Sequence, residues 1–81
     1  MLLLKKKEII NNKISYFYQP MFTGKMGVIS LLLPQQDIVV EVAAECDDKS
    51  PSQFLRHAYK NLMEFEENKD YPEEKKVYWG L

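Results

Sequence analysis

Apolar positions recur with period two in the first half of this chain and with helical spacing in the second. From Asp37 to Cys46, Ile38, Val40, Val42, Ala44 and Cys46 share one face. Asp37, Glu41 and Glu45 share the other, interrupted by Val39 and Ala43. Such alternation with β-branched residues predicts a half-buried strand. Lys25 to Leu33 predicts a strand buried on both faces, since Val28-Ile29 and Leu31-Leu32-Leu33 leave neither side polar. Pro34-Gln35-Gln36-Asp37 is short enough to join the two as a hairpin. Lys13 to Gln19 is a further strand, with Ile14, Tyr16 and Tyr18 on one side and Phe17 on the other. The first ten residues are either a flexible arm or an edge strand. Asn11-Asn12 suits a tight turn, and the lysines of Leu2 to Ile10 suit an exposed edge.

The helix has the clearest signals. Ser50-Pro51-Ser52-Gln53 is a capping box with Ser50 as N-cap and Pro51 at the first helical position. Phe54, Leu55, Ala58, Leu62 and Phe65 then fall on one face. The helix should end near Asn68, ahead of Tyr71-Pro72, because proline disfavours helix in the residue before it. Lys75 to Trp79 has the propensity to return as a last strand. The order is (β)βββαβ: an α+β fold with an antiparallel sheet of four or five strands and one helix packed on a face. There is no internal repeat or linker, and 81 residues form one domain spanning 1–81.

Composition narrows how such a domain is held together. A chain of this size buries only about 60–65% of the surface its unfolded state exposes. One cysteine, Cys46, excludes an intrachain disulfide, and one histidine, His57, excludes a closed His/Cys metal site. Packing or association with another chain must supply the stability. A lone cysteine, no secretory pattern at the start and no apolar run of about eighteen residues lead us to expect a cytoplasmic protein without a membrane span.

The formal net charge is −1, but it is unevenly distributed. Residues 1–40 carry five lysines against Glu8 and Asp37, a net of +3. Residues 41–74 carry ten acids against four bases, a net of −6. Glu64, Glu66, Glu67, Asp70, Glu73 and Glu74 crowd the helix C-terminus, where acids oppose the helix dipole. A solvated face accounts for them; a basic partner is the functional alternative.

Candidate chemistry is sparse. Cys46 and His57 are the one thiol–imidazole pair, without a third group to orient them. Cys46 shares the face of Val40 and Val42, as a small buried hydrophobe would. His57 lies about 100° from the centre of the helix stripe and is expected in solvent. Glu45, Asp47 and Asp48 lack the spacing of a calcium loop. The three glycines, Gly24, Gly27 and Gly80, form no phosphate-binding loop. No catalytic, cofactor or metal site is assigned.

What stands out instead is apolar surplus. Tyr59 and Met63 flank the helix stripe, Phe22 sits in a loop with Met21 and Met26, and Trp79 lies near the chain end. Together with Glu66 from the acidic stretch, Tyr59, Met63, Phe22 and Trp79 are the expected partner-binding residues. One helix covers only part of one sheet face, so a second apolar layer is implied. We therefore expect a non-catalytic interaction protein, a regulator, adaptor or inhibitor of another protein, that self-associates as a homodimer. The alternatives are a nucleic-acid-associated protein using the lysine-rich start with Tyr16 and Tyr18, and a small Cys/His enzyme.

Overall fold

The computed structural model describes residues 1–44 and 51–79, with helix side chains from Gln53 onward. The elements are β1 (Leu2–Ile10), β2 (Lys13–Pro20), β3 (Gly27–Leu32), β4 (Asp37–Val42), α1 (Pro51–Asn68) and β5 (Glu74–Val77). All strand pairs are antiparallel, in the order β4-β3-β2-β1-β5. The α+β reading holds, with five strands. The helix begins and ends where the proline and polar signals place it, while Ser50 lies outside the described residues.

The sheet topology explains the helix direction. β4 and β5 are consecutive strands at opposite edges, so α1 must carry the chain across the sheet. Eighteen residues of helix span about 27 Å. Four strand spacings amount to about 19 Å. The helix is long enough for the crossing, but at about 10 Å wide it covers only a band of the sheet. Its buried residues Ala58, Leu62 and Phe65 join Leu2, Leu4, Ile14, Tyr16, Tyr18, Ile29, Leu31 and Val77 in one core.

Paired residues on neighbouring strands share a face, so the register sorts the two sides. One row on the helix side runs Lys6, Tyr16, Ile29, Val40, and another runs Ile9, Ile14, Leu31, Ile38. The opposite, open side holds the rows Lys5, Phe17, Val28, Val42 and Glu8, Ser15, Ser30, Val39. β3 is buried on both faces, as its sequence predicts.

Three expectations are corrected. β1 is not an edge strand: β5 pairs outside it through Leu2–Lys5, and the Lys6 amide extends that ladder by donating to the Glu73 carbonyl at 2.8 Å. β4 is not half-buried; every one of its residues is exposed. It lies at the far edge of the sheet, beyond the band that α1 covers. Nor does its alternation run unbroken, because an irregularity between Val28 and Ile29 shifts the pairing so that Val42 joins the open side. His57, expected in solvent, is partly covered by Trp79.

Candidate docking surface

β4 combines three properties. It is an edge strand, its outer side has no paired strand among the described residues, and it is apolar on both faces. Ile38 is 37% exposed, Val39 39%, Val40 40% and Val42 40%. Ile38 and Val40 lie on the helix side, Val39 and Val42 on the open side. Edge strands expose unpaired backbone N–H and C=O groups, and proteins commonly guard them with charge, proline or a bulge. β4 has no lysine or proline; its guards are Asp37, Glu41 and the irregularity before Val42. The opposite edge, β5, is four residues long and carries Glu74, Lys75 and Lys76.

The helix adds a wall on the same side. Trp79, which follows β5, stacks on His57 with ring centroids 3.8 Å apart and planes at 8°. It also meets Phe54 edge-on at 6.0 Å. Tyr59 and Met63 project from the opposite flank of α1. Both are half-buried, packed against the core together with Leu55 and Leu33. Exposed Ile38 and Val40 lie on the same side of the sheet as α1.

On the open side, polar groups interrupt the apolar surface. Ser15 and Ser30 are 1% and 0% exposed, and their hydroxyls are 2.8 Å apart. Lys13 on β2 and Glu41 on β4 form an ion pair that bridges β3. The hydrogen bond from Lys13 holds the Glu41 carboxyl below its usual range, and Ser30 and the charge of Lys7 act the same way. Beside this network a pocket of about 540 Å³, lined by Glu8, Lys13, Ser15 and Leu32 among others, opens between the β1–β2 and β3–β4 turns.

The residues expected to bind a partner are dispersed rather than gathered. Tyr59 and Met63 stand on a flank of α1, packed against the core. Phe22 contacts Tyr78 edge-on at 5.7 Å, with Lys76 over its ring. Trp79 lies against His57 at the β5 edge. The Glu66 carboxylate is engaged by Lys69 and the Tyr71 hydroxyl, both within its own end of the molecule. Tyr16 and Tyr18 are fully buried, so neither ring offers a face on which a base could stack. Cys46 and the acids Glu45, Asp47 and Asp48 lie outside the described residues.

The residues of β4 are the addition. Sequence did carry a signal for them: Val39 breaks the polar face, and no lysine or proline follows before the strand ends. What it did not carry was the position of the strand at an edge.

No protein-family model matches the chain, and neither does any curated protein or solved structure. Among the described residues no helix is long and apolar enough to cross a membrane. No group of three or more His, Cys, Asp and Glu residues is placed to hold a metal ion, again among the described residues.

Proposed function

We propose that this chain is a non-catalytic interaction protein, a regulator, adaptor or inhibitor, whose docking surface is the β4 edge. One observation carries the reading. An edge strand without lysine or proline bears four exposed apolar side chains, two on each face. An extended segment added to that edge would satisfy the free backbone groups and cover those side chains at once. The nucleic-acid alternative is weakened by the burial of Tyr16 and Tyr18.

Photo-crosslinking tests this directly. A photoreactive residue replacing Val40 should give a defined adduct in cells, whereas the same residue replacing Lys75 on β5 should not. No adduct from position 40, or equal yields from both edges, would overturn the assignment of the surface.

A further inference from the structure

We infer that the partner at the β4 edge is a second copy of this chain, paired antiparallel so that two five-stranded sheets become one. The inference rests on the docking role of β4 and names its occupant.

Two identical strands pair antiparallel about a two-fold axis normal to the sheet, and this keeps both helices on the same side. Paired residues then share a face, which restricts the register. Centred on Val39, the pairing sets Val39 opposite its own copy. Ile38 meets Val40 of the other copy on the helix side, and Asp37 meets Glu41 on the open side. Every face matches. Centring on Val40 would set Ile38 opposite Val42, which the irregularity in β4 has moved to the other face. Centring on Ile38 would leave only residues 37–39 paired within the strand.

Charge supports the same register. It brings Asp37 of one copy to Glu41 of the other, two carboxylates that would repel if both were free. Glu41 is already engaged by Lys13, so the arriving Asp37 also meets the Lys13 ammonium. Asp37 itself has no ion pair among the described residues in the single chain. Dimerisation would give it one. A net charge of −1 sets up little general repulsion between copies.

The alternative pairing, β4 of one copy on β5 of the next, does not close and would grow fibres. The charged, four-residue β5 opposes it. The two-fold pairing closes instead. It places Ile38 and Val40 from both copies side by side on the helix side of the joined sheet.

The test uses the full chain. Light scattering after size exclusion should give twice the chain mass, falling towards one chain on dilution. Val40→Lys should weaken the dimer by about tenfold or more, the equivalent of one lost apolar burial. Its circular dichroism should match wild type, because residue 40 is exposed. Lys13→Glu should also weaken the dimer by setting three carboxylates together. In a Cys46→Ser background, Val39→Cys should form a symmetric interchain disulfide under mild oxidation, since directly opposed residues lie within disulfide reach. Lys75→Cys should not.

A wild-type mass of one chain at every concentration would overturn the second copy as occupant. So would a dimer that survives Val40→Lys and does not cross-link at residue 39. If the chain is monomeric but position 40 still photo-crosslinks a different molecule, the docking reading stands and self-pairing falls.

Discussion

Lys13 and Glu41 form an ion pair that bridges β3 on the open side of the sheet, beside the buried hydroxyls of Ser15 and Ser30. The two hydroxyls partner each other, and removing either leaves the other, buried, without that bond.

Ser30→Ala should therefore destabilise the domain by about 1–3 kcal/mol. It removes the partner of the buried Ser15 hydroxyl. Ser15→Ala should cost a similar amount, and the double variant less than the sum of the two, because the second substitution removes the group left unpaired. Urea midpoints of the three variants give the comparison, and additive losses would contradict the pairing.

Gly27 marks a close approach. A Cβ there would lie 2.3 Å from Tyr18 Cε1, 2.5 Å from the Val42 carbonyl oxygen and 2.6 Å from the Ala44 nitrogen. Two of those atoms are backbone and cannot rotate away. The chain leaving β4 crosses at this point, where the Ala44 amide donates to the Tyr18 hydroxyl at 3.1 Å. Gly27→Ala should cost about 1–3 kcal/mol from overpacking. A thermal midpoint unchanged from wild type would show that the crossing is not held there.

Tyr16 gives the fold an alkaline limit. Burial, and then the negative charges of Glu73 and Asp70, push its hydroxyl from 10.0 up to about 12. The neutral hydroxyl donates to the Pro72 carbonyl at 2.6 Å. Between those two values the unfolded chain has lost a proton that the folded chain keeps. The contribution is thus fully present below about 10 and falls as pH rises through the folded value. Tyr16→Phe should lose about 1 kcal/mol at neutral pH with the hydrogen bond. Its stability should then fall less steeply than wild type as pH rises above about 10. Parallel pH profiles of the two proteins would contradict this account.

Much of the fold was legible because local signals and burial agree. The Asn11-Asn12 turn forms, and Asn11 takes the left-handed backbone that asparagine tolerates, at φ 53°. Helix α1 ends at Asn68, as Tyr71-Pro72 requires. The order of strands in space was not legible. The lysines of β1 suited an edge as well as an interior strand flanked by the charged β5. The alternation of β4 fitted a half-buried strand, but alternation says nothing about how far one helix reaches. His57 shows the same limit: its angle on the helix implied solvent, yet a residue 22 positions later, Trp79, returns to cover it. The apolar surplus was visible in the sequence, but its concentration on β4 emerged only once the sheet was assembled.

Amide hydrogen exchange across β4, followed against protein concentration, tests the central claim most directly. The account predicts that amides on the outer side of residues 37–42 exchange slowly in concentrated protein and fast on dilution, while the β1–β2 pairing is unaffected. Outer β4 amides that exchange fast at every concentration, with concentration-dependent protection elsewhere, would contradict it.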